Sequence, residues 1–199
     1  DPIITLAGEH EVNQVFFDEV RVPKANRLGE ENQGWTVAKH LLEFERGGGS
    51  APGLGVGLDR VRAAAVAEPS DQGATMLQDA HYRRKLAEAE IAVQAIDMSE
   101  RRVLSALVSG QNPGAASSML KAQGAEAVQR IDELAIEAIG SYAAVHQPLA
   151  REAGSNLEAI GPDHGLTSMA RYLNNRASTI YGGSNEIQRD IIARLVLGL

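Results

Sequence analysis

Two spacings of apolar residues divide the chain. Over roughly the first 29 residues, β-branched and aromatic side chains come in rough alternation, most clearly in VNQVFFDEVRVP, residues 12 to 23. That pattern predicts a strand that leaves its sheet at Pro23. LGEENQG follows as a loop. A single strand is not stable alone, so this one is expected to belong to a sheet that lies mostly outside the chain. From about Asn32 the spacing becomes helical. WTVAKHLLEFER puts Trp35, Val37, Leu41 and Phe44 near one face, and this helix is expected to run on through GGGSAPGLGVGLDRVRAAAVAE to about Glu68. A second helix is predicted from about Ala74 to Val108, with Leu77, Leu86, Ile91, Ile96, Val103 and Leu107 facing the core. SGQNPG stops it. A third spans about Ala115 to Ile139, with Gly140 as its C-cap. HQPLAREAGSNLEAIGPDHG is expected to be loop, and LTSMARYLNNRAST and SNEIQRDIIARLVLG form a last helical pair broken at glycines. Long helices with short connections predict an all-α, antiparallel four-helix bundle over residues 30–199, preceded by a short β remnant over 1–29.

Composition narrows the function. The chain has 199 residues, enough for one domain or for one domain and part of another. Its net charge is −7 and its pI near 5.3, which argues against nucleic acid or an anionic membrane as the main partner. Cysteine is absent, so disulfides, thiolate metal sites and cysteine nucleophiles are excluded. No apolar run reaches bilayer length and no signal peptide is visible, so a cytoplasmic location is expected. The chain opens at Asp1-Pro2 in a segment that already reads as strand, as a piece of a longer protein would.

Candidate chemistry is sparse. Helical bundles hold di-iron sites on Glu-x-x-His pairs, but none of His10, His40, His81, His146 and His164 has a carboxylate three positions before it, so no metal is expected. Neither a Walker loop nor a Gly-x-Ser-x-Gly elbow occurs. GLGVGLDR has the glycines of a dinucleotide fingerprint but sits within a helix rather than after a strand. EFERGGGSAPG is more informative. Each glycine inside a helix costs about 1 kcal/mol relative to alanine. The cluster is therefore either a loosened helix with an exposed Glu-Arg pair or a face cleared for a flat cofactor or an acyl chain. In the second case Glu45 faces a dry pocket, where burial raises its pKa and makes it a usable base. YGGSNEIQ poses the same choice. Ser184 or Asn185 can cap the last helix, with Gln188 following as in a capping box. Gly182 and Gly183 let a ligand approach the backbone at that helix N-terminus.

Four stretches carry a resemblance. IYGGSNEIQRDIIARLVLGL resembles the C-terminal signature of acyl-CoA dehydrogenases. VFFDEVRVPKANRLGEENQGW is similar to the exit from their middle β-domain. EFERGGG and SSMLKAQGAEAVQRIDELAIEAIG are similar to the first and third long helices of their C-terminal domain. The resemblance covers nearly the whole chain, in the right order. It implies a three-domain FAD flavoprotein of which this chain holds the C-terminal bundle and the last strand or strands of the middle domain. The implied reaction is α,β-desaturation of an acyl-CoA thioester, with electron-transfer flavoprotein as acceptor. Many members place the base directly after the tyrosine of the closing motif, where this chain has Gly182. Others place it on the first helix just before an arginine, which points to Glu45 as base with Arg46 beside it. Glu43, two positions earlier, points to another face. Tyr181 and Gly182 would line the substrate side, and Gly183, Ser184 and Glu186 would contact FAD. Two departures stand out. AEPSDQGAT lacks the arginine many relatives carry there, and Glu137 stands where they have glutamine. The glycines of GGGSAPG would suit a wide acyl pocket. The family implies a homo- or hetero-oligomer, a dimer or a tetramer. It leaves two alternatives open: a non-catalytic assembly subunit, and an acyl-CoA oxidase-like enzyme.

Overall fold

The structure, a computed structural model, describes residues 1–45, 49–71, 74–112 and 114–199, with the side chains of 43–45 outside that description. Among the described residues six α-helices dominate: α1 (Gly34–Glu45), α2 (Ser50–Ala67), α3 (Ala80–Val108), α4 (Ala116–Ile139), α5 (Ser168–Asn174) and α6 (Asn185–Ile192). β1 (Pro2–Ile4) and β2 (His10–Asn13) pair antiparallel. The all-α bundle with a short β remnant is what the pattern predicted. α4 is its spine and packs against α2, α3, α5 and α6. Leu54, Leu58 and Val61 of α2, Tyr82, Leu86 and Ile96 of α3, and Leu120, Ile131 and Leu134 of α4 form one core cluster.

Several details differ from the sequence expectation. The strand read over 12–23 is present only as His10–Asn13, and Phe16 and Phe17 beyond it are 68% and 82% exposed. β pairing needs a partner strand, and β1 is only three residues long. The hairpin is instead tied to the loop after α4, where Arg151 donates to the Ala7 carbonyl and the Glu9 carboxylate, both at 3.1 Å. The expected single helix from 32 to 68 is two. Gly49 has φ +81°, a left-handed backbone that breaks the helical path before α2 starts. Trp35, Val37 and Leu41 of α1 are exposed. α3 begins at Ala80 rather than near 74, because the Asp79 side chain accepts from the Tyr82 N–H and caps it. Its buried face runs through Tyr82, Leu86, Ala89, Val93, Ile96 and Val103, so Ile91 points outward, and Leu107, on that face but in the last turn, is 41% exposed. α4 ends on Gly140 at φ +63°, as expected.

Candidate functional site

The two glycine-rich segments meet. A cavity of about 440 Å³ lies between the first turns of α2, the N-terminal half of α4 and the segment that leads into α6. Ser50, Gly53 and Leu54 form one wall, Lys121 and Gly124 the second, and Tyr181 the third. The glycines make this approach possible. A Cβ at Gly124 would come within 3.1 Å of the Ser50 hydroxyl oxygen, whereas one at Gly53 would meet nothing within 4 Å. Tyr181 therefore lines a cavity together with the helix that follows the Glu45–Arg46 pair. Glu45 is the last residue of α1, five positions before Ser50. Its side chain, and Arg46 entirely, lie outside the described residues.

The start of α2 is held from a distance. The Glu100 carboxylate of α3 accepts from the Ser50 N–H at 2.9 Å, the Ser50 hydroxyl at 2.5 Å and the Ala51 N–H at 3.3 Å. A carboxylate is well matched to a helix N-terminus, whose first N–H groups have no partner within the helix. The sequence reading missed Glu100. Its signal was there: it falls on the buried face of α3, between Ile96 and Val103.

The start of α6 is held locally. Ser184 is its N-cap, and its oxygen accepts from the Ile187 N–H at 3.4 Å. Gln188 does not close a capping box. It stands four positions after the cap rather than three, on the buried face, with 0% exposure. Its Nε2 donates to the carbonyls of Gly182 and Gly183 at 3.2 and 3.1 Å, while its Oε1 has no partner among the described residues. Both glycines have positive φ, +69° and +86°, so the turn is one that L side chains adopt only under strain. Glu186 is exposed in the first turn of α6, and hydrogen bonds from its own N–H and from the Ser184 hydroxyl hold its carboxyl below the usual carboxylate range.

Asn185, 3% exposed, joins α6 to α4. Its Oδ1 accepts from Lys121 Nζ at 3.1 Å and its Nδ2 donates to Glu126 at 3.3 Å, and Arg189 pairs with the same carboxylate at 2.5 Å. Partial burial lowers the Lys121 pKa, against the pull of Glu186. Lys121 was also missed, since a lysine on a helix reads by default as part of a solvated face. A Cβ at Gly182 would lie 3.8 Å from Lys121 Cε, so the lysine stem crosses the bare glycine.

A second cavity, of about 520 Å³, lies between α2, α4 and α5. Among the described residues, none of those proposed above for the base, substrate or cofactor lines it. The buried Asp132 borders it, its pKa raised by burial while Asn175 Nδ2 donates to it at 2.7 Å. Among the described residues no group of three or more His, Asp or Glu is placed to hold a metal ion, and no helix is long and apolar enough to cross a membrane.

Comparison with known proteins converges on one family. Residues 32–197 match the model described as acyl-CoA dehydrogenase, C-terminal domain. The chain is 34% identical over 198 residues to the acyl-CoA dehydrogenase IpdE1 of Mycolicibacterium smegmatis, covering 100% of this chain and 45% of that protein. It spans about half the length of curated relatives it matches. Among solved structures, the ChsE4-ChsE5 complex from Mycobacterium tuberculosis matches with a TM-score of 0.78 at 29% identity, over 100% of this chain and 49% of that one. PigA with FAD and proline matches with a TM-score of 0.71 at 24% identity, over 92% and 43%, which is a likeness of fold.

Proposed function

The chain belongs to the acyl-CoA dehydrogenase family as its C-terminal domain, and from that premise we propose that it supplies one wall of an FAD-dependent active site that desaturates an acyl-CoA thioester. The observation that carries this is the cavity that sets the first turns of α2, just after Glu45 and Arg46, against Tyr181 of the closing motif. The residues at the turn fit a flavin nucleotide. At Gly182, among the described residues, only Lys121 comes within 4 Å of where a side chain would start, so a flat ligand can lie close to the backbone. Ser184 and Glu186 offer a hydroxyl and a carboxylate at the start of α6, suited to hydroxyl and amine groups of an adenosine. Gly183 would let that nucleotide pass.

In this reading the Glu45 carboxylate takes the proton from Cα of the acyl group. Bound FAD supplies the acceptor for the hydride that leaves Cβ, and the C–C double bond forms between the two carbons. An α-proton is weakly acidic, so the base works best where water is excluded. Leu54, Leu120 and Val128 make much of the cavity apolar, and Gly53 and Gly124 leave it wide. Arg46 and Tyr181 flank the acyl group and Gly182 clears its approach. Residues 1–29 would belong to a middle β-domain and 30–199 to the bundle domain. The exposed Val15, Phe16 and Phe17 are side chains such a domain would cover. Electrons would leave through electron-transfer flavoprotein. The exposed Ile91 and Met98, seven positions apart on the outward face of α3, offer apolar surface suited to subunit association.

The test uses the full-length protein. FAD absorbance is followed anaerobically as acyl-CoA thioesters are added to the wild type and to Glu45→Gln. The wild type should bleach, and the variant should hold FAD but bleach at least about a hundredfold more slowly, as for loss of a general base. Equal bleaching places the base elsewhere. A full-length protein that binds no FAD is an assembly subunit instead, and peroxide release in air would mark an oxidase.

A further inference from the structure

Desaturation needs more than a base. As the Cα proton leaves, charge moves onto the thioester oxygen, and a donor already aimed at that oxygen lowers the barrier. The described wall holds one cation beside the glycine turn, Lys121. Its stem crosses the face of Gly182, its Cε 3.8 Å from where a Cβ would stand. Its ammonium spends one N–H on Asn185 Oδ1 at 3.1 Å, which fixes its direction and, among the described residues, leaves two donors. Asn185 is itself buried and fixed by Glu126, so the lysine is held rather than free to roam. The cavity around it is bounded by Leu54, Leu120 and Val128, where a hydrogen bond to a charged group gains strength. Partial desolvation of the ammonium agrees with this placement.

We infer that Lys121 donates a hydrogen bond to the thioester carbonyl oxygen of the bound acyl-CoA and stabilises the enolate-like charge that forms there. This rests on the function proposed above. It assigns the polarising role to a side chain of α4, held in place by the first residue of α6. Asn185 is then a positioning residue, since it acts on substrate only through the lysine.

The experiment pairs two variants with two ligands on the full-length protein. Lys121→Met removes the donor while keeping the stem, and Lys121→Arg keeps a cation. Bleaching at saturating acyl-CoA should slow about a hundredfold in Lys121→Met, as for loss of one oxyanion donor, with KM little changed and partial recovery in Lys121→Arg. FAD content should stay at the wild-type value, while the melting temperature should fall slightly, because the buried Asn185 Oδ1 loses its donor. In parallel, calorimetry compares an acyl-CoA with the S-alkyl-CoA thioether, which lacks the carbonyl oxygen. The wild type should prefer the thioester, and Lys121→Met should lose that preference. The inference is overturned if Lys121→Met bleaches within about twofold of wild type, or if the thioester preference survives the substitution. A wild type that binds both ligands and never bleaches sinks the desaturation reading alone, and the ligand pair still decides Lys121. If the wild type binds neither ligand, both fall together.

Discussion

The chain begins a helix after glycines twice, and it closes the two starts by opposite means. α2 is capped by Glu100, a charged group fifty residues away on another helix. α6 is capped by Ser184 within its own first turn, and its glycine turn is pinned by Gln188 from its second. The first device is a tertiary contact and the second is local. The remote cap makes the position of α2 depend on α3. The local one lets the closing turn keep its shape while its surroundings change. The start of α2 and Tyr181, just ahead of the turn into α6, line the same cavity, so one wall of the candidate site depends on the bundle and the other largely on its own sequence.

Substitutions can break this comparison. Glu100→Ala should do most. It unpairs two N–H groups and a hydroxyl at a helix N-terminus, and should cost about 3 kcal/mol in chemical denaturation, at the upper end for bonds to a charged acceptor. A loss below about 0.5 kcal/mol would mean that water replaces the carboxylate and that α2 is not held from α3. Gln188→Leu comes next. It keeps the buried volume but strips the donor from the Gly182 and Gly183 carbonyls, for a loss of about 2 kcal/mol. Because Gln188 Oε1 has no partner among the described residues, that loss should fall short of the one at Glu100. Reversal of the order would show the local device to be the stronger.

The third test reads pH. The folded pKa of Glu186 lies below its ordinary value, so its contribution is fully present above the usual carboxylate range and fades as pH falls through the depressed value. Wild type and Glu186→Gln should therefore differ by a constant amount near neutrality. The gap should narrow as the solution is acidified below about pH 4. Glu186 is exposed, so the gap should also shrink with added salt, and a difference indifferent to both would argue against a charge at the start of α6.

What the sequence disclosed follows the same division. The closing motif was legible because its parts are contiguous: two glycines, a capping serine and the helix they open. Gly140 was legible for that reason too, since a C-cap is a local event. α3 was placed from its period, but its start was set too early and Ile91 was assigned to the core, because apolar side chains lie on more than one face of this helix and leave its phase loosely fixed. The strand was overextended because alternation says nothing about whether a partner strand is at hand. The break before α2 was missed because a helical period can continue in phase across a few glycines. Of the residues in and around the candidate cavity, Tyr181 was named from the sequence, Lys121 and Glu100 were not, and Asn185 was read only as a possible helix cap. Each takes its meaning from a partner on another helix: Lys121 from Asn185, Asn185 from Glu126, and Glu100 from Ser50. One signal was usable, a carboxylate on an otherwise apolar face of α3.

The remote cap also bears on the order of assembly. The N–H groups of Ser50 and Ala51 receive their acceptor only when α3 has folded back along α2 far enough to bring Glu100 to them, a contact that closes a loop of fifty residues. Until then the beginning of α2 is free to fray, and the segment that carries Glu45 has no fixed anchor on its C-terminal side. The wall that would hold the base is thus a late product of folding, finished only once the helical hairpin has docked, whereas the turn at Gly182 and Gly183 can take shape early.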